Sequence, residues 1–130
     1  MKKTAYINEK IESFNSKIYV PGDKSLSIRW ILMASQAIGT SVAYNLLKSE
    51  DVFSALNAIK KLGINYKLNK KNCKIFGKGL NGYSFKNNTI INAGNSGTLA
   101  RLIFGLLVKS KNQIILKGDN SLSKRDFSRV

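Results

Sequence analysis

Apolar residues recur along this chain with spacings that predict alternating helices and strands. Residues 49–63, SEDVFSALNAIKKLG, place apolar side chains three and four positions apart, with acidic residues at the start and lysines at the end. This pattern is typical of an amphipathic helix whose charges suit the helix dipole. Two further segments, Ser25 to about Ala37 and residues 99–108, are apolar on nearly all sides. They predict two mostly buried helices, the first with Ser25 near its N-terminal cap.

Short apolar runs between these helices predict strands. They are residues 17–20, 41–47, 64–69, 73–79, 89–93 and 113–117. Gly39 is expected to end the first helix, and the Gly- and Asn-rich residues 77–88 to form a loop. The element order is therefore β-α-β-α-β-β, followed by β-α-β and the start of another helix. Because a unit of about 70 residues begins again near residue 88, the pattern predicts an internal repeat.

Two nearly identical octapeptides follow apolar runs, GDKSLSIR at 22–29 and GDNSLSKR at 118–125. Each predicts a tight turn from a strand into a helix. Such a turn can hold an anion, because the helix start presents unpaired N–H groups, glycine permits close approach, and Lys or Arg adds charge. In the register of the repeat the first octapeptide aligns with NAGNSGTLAR and the second with LKSEDV. Their likeness therefore indicates a shared local requirement rather than duplication.

The first octapeptide carries three candidate binding residues. Lys24 and Ser25 stand at a predicted helix start, and Arg29 lies one helical turn after Ser25 on the same face. Together they can bind a phosphate or a carboxylate. Arg29 interrupts an apolar helix, where a charge is expected to be paired or functional. The alternative is an ordinary capped helix with Arg29 on its surface.

A second candidate turn is GNSGT at 94–98. Asn95 and Gly97 tolerate unusual backbone angles, Thr98 and the preceding serine offer hydroxyls, and Arg101 lies one turn into the next helix. The turn lacks the Gly-Lys-Ser/Thr of a P-loop and the third glycine of a dinucleotide-binding fingerprint. The third turn ends in the adjacent cations Lys124 and Arg125, for which a binding site and a solvated surface are equally consistent.

Charge and composition narrow the possible functions. The net charge is +15, but eighteen of the 22 cations are lysines spread along the chain, which favours a solvated surface over a nucleic-acid site. A basic nucleic-acid-binding module stays an alternative without a recognisable motif. The lack of histidine and the single Cys73 exclude an internal disulfide and a Cys/His metal site; Cys73 is expected to be half-buried in a strand. With no long apolar run and no signal-like N-terminus, we expect a cytoplasmic protein that binds no membrane.

The three turns, in this order and spacing, resemble the 5-enolpyruvylshikimate-3-phosphate synthases. The segments that carry the resemblance are VPGDKSLSIRWILMASQA, NAGNSGTLARL and GDNSLSKR, and it extends from about residue 17 to the end. The related UDP-N-acetylglucosamine enolpyruvyl transferases typically carry Asn after the first lysine. Ser25 therefore favours the shikimate family, and the other family stays an alternative.

This resemblance implies a monomeric carboxyvinyl transferase. Its partners would be phosphoenolpyruvate and shikimate 3-phosphate, with no metal or organic cofactor and no nucleic acid. The enolpyruvyl group would pass to the 5-hydroxyl of shikimate 3-phosphate with release of phosphate. By resemblance, Lys24 contacts phosphoenolpyruvate, and Ser25 and Arg29 bind shikimate 3-phosphate.

The resemblance assigns the other two turns to phosphoenolpyruvate. Gly97 and Arg125 would hold its phosphate and carboxylate, Asn95 and Thr98 would shape the turn, and Arg101 would support it. Two phosphates and two carboxylates require several cations, which would explain why the chain repeats its anion-binding turn.

The implied fold class is α/β (α+β), with repeated βαβαββ units forming an inverse α/β barrel. Residues 1–16 would belong to a second domain, and residues 17–130 would form an incomplete N-terminal substrate-binding domain. Its first repeat would span about 17–87 and a partial second repeat about 88–130.

The sequence also departs from the family. Asp126 stands where the family usually has proline after the arginine, and Trp30 replaces a commonly smaller residue. Family members are much longer, and their catalytic aspartate has no counterpart here. We therefore expect a truncated part of one domain that does not turn over by itself.

Overall fold

A computed structural model describes residues 3–128 and 130 and contains a mixed α/β arrangement. Its helices are α1 (Lys24–Gln36), α2 (Glu50–Lys61) and α3 (Gly97–Leu107). Its strands are β1 (Ile38–Tyr44), β2 (Asn65–Leu68), β3 (Asn72–Lys78), β4 (Thr89–Asn92) and β5 (Ile114–Lys117), and a single 3₁₀ turn spans Leu122–Lys124. Residues 1 and 2 of the predicted segment 1–16, and residue 129 of the predicted second repeat, lie outside the described residues.

The strands form two small sheets. In the first, β3 lies between β1 and β2 and is antiparallel to both, so that Ile75 pairs with Ser41 on one side and Tyr66 on the other. In the second, β4 and β5 are parallel, with Ile91 opposite Leu116, and α3 forms the connection between them. Both sheets pack against the helices on one face.

One aliphatic core joins the two sheets. On α2 the predicted amphipathic pattern is confirmed, because Val52, Leu56 and Ile59 are fully buried at helical spacing. They pack in one cluster with residues of α1, β3, β4 and α3. Cys73, expected to be half-buried, is completely buried in β3, and this burial raises the pKa of its thiol.

The ends of α1 differ from the prediction. Its N-cap is Asp23 rather than Ser25, since the Asp23 carboxylate accepts a hydrogen bond from the Leu26 N–H at 2.7 Å. The helix stops at Gln36, before Gly39, which lies inside β1 with φ of +95°. As a consequence β1 begins and ends three residues earlier than the predicted strand at 41–47.

The predicted strand at 17–20 is wrong for the described chain. Ile18, Tyr19 and Val20 belong to no helix or strand, and their side chains are exposed. A strand needs a neighbour to accept and donate its backbone hydrogen bonds. Among the described residues the only partner here is the Asn45 amide, which donates to the Val20 carbonyl at 3.2 Å.

Helix α3 is less buried than its composition predicted. Leu99, Ala100 and Ile103 enter the core, whereas Leu102 and Phe104 are about 40% exposed and Val108 is 82% exposed. The outer face instead lines an open, largely apolar groove of about 830 Å³. Only one face of α3 meets the core formed by the described residues. Among these residues no helix is both long enough and apolar enough to cross a membrane.

Gly77 lies where β3 closely approaches the C-terminal end of α1. A Cβ atom at this position would overlap the carbonyl oxygens of Ala34 and Ala37. Gly77→Ala is therefore expected to lower the free energy of unfolding by about 3 kcal/mol or more, since backbone cannot yield as a side chain does. Urea denaturation followed by circular dichroism measures this loss.

Gly105→Ala is the matched control. It adds the same methyl group inside α3, where no described atom beyond the neighbouring backbone of the helix lies within 4 Å of the new Cβ. We expect it to stabilise the protein by about 0.5–1 kcal/mol, because alanine is the better helix former. Similar effects of the two substitutions would contradict the close approach at Gly77.

Candidate functional site

The two octapeptides adopt the same capped turn. Asp23 accepts from the Leu26 N–H and Asp119 accepts from the Leu122 N–H, in each case through Oδ1 at 2.7 Å. In both turns a backbone N–H four residues after the aspartate also donates to the aspartate carbonyl. The residues that the two octapeptides share therefore have a common local role, which is to satisfy the free N–H groups of a short turn.

The two turns differ on the C-terminal side of the cap. The first continues into the 13 residues of α1, whose inner face buries Ile28, Ile31 and Leu32 in the core. The second was expected to start a helix, but it forms a single 3₁₀ turn and then returns to extended backbone at Arg125, with ψ of 143°. Residues 123–126 are polar and exposed, so they offer no apolar face that would extend the turn into a buried helix. This early stop directs Arg125 toward the GNSGT turn.

In the first turn Lys24 forms an ion pair with α2. Its Nζ lies 3.0 Å from Oδ2 of Asp51, which stands in the first turn of that helix. Ser25 is half-buried beside it. The pair joins the N-terminal ends of α1 and α2.

Arg29 lies on the surface of α1, which was the alternative to a paired charge within a buried helix. The interruption of an apolar helix led us to expect a paired or functional charge, but Arg29 is exposed. It stands on the outer face of α1 between Leu26 and Met33, which are also exposed. Within the described residues it forms no ion pair. Neither burial nor ion pairing therefore explains why an arginine stands at this position.

Ser27 is a positioning residue that the sequence reasoning missed. It is buried, its hydroxyl donates to the Asp23 carbonyl at 2.6 Å, and the same oxygen accepts from the Leu47 N–H at 3.1 Å. It thereby fastens the first turn to the segment that enters α2. A serine facing the core side of an apolar helix was the available signal, since a buried hydroxyl requires partners.

The second and third turns meet each other. The Arg125 guanidinium donates to Oδ1 of Asn95, and a Cβ at Gly97 would lie 2.7 Å from Nη1 of the same arginine. Asn95 in turn donates to Oδ2 of Asp119 at 2.7 Å. Three of the predicted site residues, Asn95, Gly97 and Arg125, are therefore neighbours although about 30 residues of chain separate Arg125 from the other two.

The GNSGT turn opens α3. Gly94, with φ of +58°, makes the bend that lets the chain leave β4. The buried Ser96 is the N-cap, and its hydroxyl accepts from the Leu99 N–H at 3.3 Å. Gly97 and Thr98 are the first helical residues, so their N–H groups have no acceptor within the helix. Thr98 is half-buried and its hydroxyl makes no hydrogen bond within the described residues.

Arg101 contacts the segment that follows Arg125. Its guanidinium donates to the Asp126 carbonyl at 2.8 Å and stacks over the Phe127 ring at 5.1 Å from the centroid. It therefore fastens the segment after Arg125 to α3. The carboxylate of Asp126 accepts from both the N–H and the hydroxyl of Ser128, which lowers its pKa. The carboxylate at the usual proline position thus accepts two hydrogen bonds from Ser128.

Helix α2 connects the first turn to the other two. Asp51 contacts Lys24, and one helical turn later the hydroxyl of Ser54 would lie 3.2 Å from a Cβ at Gly94. Through Gly94 this line of contacts reaches Arg125. The three turns therefore border the N-terminal part of one helix, where they present cations, hydroxyls and helix-start N–H groups. Such an arrangement binds anions.

Comparisons with known proteins identify the family of this chain. The family described as EPSP synthase (3-phosphoshikimate 1-carboxyvinyltransferase) matches residues 8–130. The 3-phosphoshikimate 1-carboxyvinyltransferase of Thermoanaerobacter sp. (strain X514) is 42% identical over 113 residues, covering 87% of this chain and 26% of the relative. That of Alkaliphilus metalliredigens (strain QYMF) is 41% identical over 124 residues, covering 95% of this chain and 29% of the relative.

A solved EPSP synthase from Acinetobacter baumannii superimposes with a TM-score of 0.78 and 37% sequence identity, covering 85% of this chain and 25% of that one. The chain thus spans about a quarter of the length of the relatives it matches. The match confirms the α/β class implied by the resemblance. With a family match over nearly its whole length, the chain belongs to the EPSP synthase family.

Proposed function

We propose that this chain forms part of the substrate-binding surface of a 3-phosphoshikimate 1-carboxyvinyltransferase. The reaction transfers the enolpyruvyl group of phosphoenolpyruvate to the 5-hydroxyl of shikimate 3-phosphate and releases phosphate. One observation carries the proposal: Asn95, Gly97 and Arg125 converge at the start of α3 in a chain that matches this family over residues 8–130.

Phosphoenolpyruvate binding is supported by the chemistry of that convergence. Arg125 supplies a planar pair of N–H donors, and α3 supplies backbone N–H groups at Gly97 and Thr98 together with the positive end of its dipole. The absence of a side chain at Gly97 lets an anion approach both at once. These groups suit the phosphate, on which charge grows as the C–O bond to it breaks. Asn95 orients Arg125, and Arg101 holds the following segment in place.

Shikimate 3-phosphate binding is supported by the first turn. Ser25 and Arg29 lie one turn apart on α1, and Arg29 is an exposed cation without an ion-pair partner among the described residues. Lys24 stands between the two regions and is 54% exposed in its pair with Asp51. Lys24 can exchange Asp51 for an anionic substrate group, because the Asp51 carboxylate lies in the first turn of α2, where the helix dipole still stabilises its charge.

The remaining expectations extend the proposal to the whole protein. We keep residues 1–16 as part of a second domain and residues 17–130 as part of the substrate-binding domain, with repeats at about 17–87 and 88–130. A cytoplasmic monomer without a cofactor, without a membrane and without nucleic acid is likewise proposed. The UDP-N-acetylglucosamine enolpyruvyl transferases are the second candidate, and Ser25 argues against them. For these 130 residues the proposal concerns binding rather than turnover.

Titration of the ¹⁵N-labelled chain with shikimate 3-phosphate tests the first turn. Saturable shifts are expected at Ser25 and Arg29, and Arg29→Ala should weaken binding at least about tenfold, because a charge-assisted hydrogen bond is worth ~1.5–3 kcal/mol. Lys70→Ala removes the same charge from the turn between β2 and β3 and should leave the affinity unchanged. Equal weakening by both variants, or tighter binding of a short DNA duplex than of shikimate 3-phosphate, would favour a nonspecific basic surface.

Gly97→Ala tests the phosphoenolpyruvate region. The new methyl group would meet the far end of the Arg125 side chain rather than backbone, so the free energy of unfolding should change by less than about 1 kcal/mol. Displacement of the guanidinium should weaken phosphoenolpyruvate binding about threefold to tenfold. Calorimetric titration and thermal unfolding measure the two effects, with Gly105→Ala as the control in the same helix. Unchanged affinity would show that Arg125 does not bind the ligand.

A further inference from the structure

Asp119 uses both of its carboxylate oxygens. Oδ1 accepts from the Leu122 N–H at 2.7 Å and caps the 3₁₀ turn, while Oδ2 accepts from the Asn95 amide at 2.7 Å. Oδ1 of Asn95 accepts from the Arg125 guanidinium. A line of hydrogen bonds therefore leads from the carboxylate through the amide to the arginine.

The chemistry of these groups fixes the direction of this line. A carboxylate only accepts hydrogen bonds and a guanidinium only donates them. The Asn95 amide between them must therefore turn its NH₂ group to Asp119 and its oxygen to Arg125. Reversal of the amide would oppose donor to donor at the arginine. The negative charge of Asp119 thus determines that Asn95 presents its amide oxygen, and not its NH₂ group, to Arg125.

The first octapeptide provides an internal comparison. Asp23 caps Leu26 through Oδ1 at the same distance of 2.7 Å as Asp119 caps Leu122. Among the described residues, however, the Asp23 carboxylate accepts no hydrogen bond from a side chain. Capping explains the aspartate that the two turns share. It does not explain the contact between Asp119 and Asn95.

We propose that Asp119 is a positioning residue that acts through Asn95 to hold the Arg125 guanidinium against Gly97. The inference rests on the proposed function only for the consequence that this orientation aids anion binding. A guanidinium already aimed at the start of α3 loses less conformational freedom when an anion arrives. Hydrogen bonds from Leu122 and Asn95, and the nearby positive charge of Arg125, lower the pKa of Asp119 and keep it ionised near neutral pH.

A positioning role for Asp119 and a simple charge effect predict opposite changes in phosphate affinity. Asp119→Asn and Asp23→Asn each remove one negative charge beside a candidate anion-binding turn, and each keeps an oxygen that can cap. If charge alone mattered, both variants would bind phosphate more tightly. If Asp119 positions Arg125, only Asp119→Asn frees the Asn95 amide to reverse, and that variant should bind more weakly.

The experiment compares the two variants in the full 130-residue chain with inorganic phosphate as the probe. Binding is followed at the Gly97 amide by NMR, and the order of Arg125 is followed by its guanidinium N–H resonances without ligand. Asp119→Asn should broaden or average the Arg125 resonances and weaken phosphate binding about fivefold. Asp23→Asn should leave the Arg125 resonances unchanged and should not weaken binding. Unchanged Arg125 resonances in Asp119→Asn would overturn the proposal.

A wild-type measurement decides the question if Asp119→Asn does not fold. Protonation of Asp119 removes the obligate acceptor, so the Arg125 resonances should shift as the pH falls through the lowered pKa of this carboxyl. The other charged groups nearby are Lys124, Arg101 and Asp126, and the last also has a lowered pKa. Separate observation of each carboxyl carbon distinguishes them. Arg125 resonances that follow Asp126, or neither carboxyl, would overturn the proposal.

The two hypotheses fail in different ways. If the wild-type chain shows no saturable phosphate shift at Gly97, the proposed function fails, while the ligand-free Arg125 resonances still decide the role of Asp119. If phosphate binds and the Arg125 resonances change neither in Asp119→Asn nor with the protonation of Asp119, the proposed function stands and the positioning role of Asp119 fails.

Discussion

The packing of α2 against both halves of the core determines where the anion-binding turns can lie. Its buried face contacts α1, β2, β4 and α3, so that a single helix relates the two sheets. The first turns of the same helix touch Lys24 through Asp51 and approach Gly94 through Ser54. Aliphatic burial is not directional, but here it holds polar groups at a fixed separation. The site depends on hydrophobic packing as much as on charge.

Much of the fold follows from short-range patterns. The sequence was sufficient to predict α2, because its apolar spacing, acidic start and basic end all lie within one segment. The predicted strand at 17–20 failed because strand formation depends on a neighbour that no local pattern reveals. The same limit applies to α3. Its composition predicted burial on nearly all sides, but composition does not show that the core formed by the described residues covers only one face of this helix.

The candidate site was predictable in its residues but not in its connections. The likeness of the octapeptides indicated two turns with one local requirement, and the structure identifies that requirement as an aspartate cap. Sequence reasoning gave no weight to the aspartates themselves. The contact between Asp119 and Asn95 joins residues that are 24 positions apart and that follow the paired strands β5 and β4. For Arg29 the sequence pattern predicted a buried environment, but the side chain is exposed.

The few acidic residues have a consistent placement in this basic chain. All four aspartates lie beside candidate cations: Asp23 and Asp51 near Lys24, Asp119 near Arg125, and Asp126 beside the same arginine with its carbonyl on Arg101. With a net charge of +15, clustered cations would repel one another in the absence of a ligand. The aspartates reduce that repulsion and keep the cations ordered.

The shared aspartate cap also has a consequence for the order of folding. Each cap joins residues only three positions apart, and such contacts form on the time scale of local chain motion. The bond from Arg125 to Asn95 spans 30 positions and must wait for the parallel pairing of β4 with β5, which is a slower, non-local event. We therefore expect the individual turns to be formed early in folding and to become a binding surface only in the last steps.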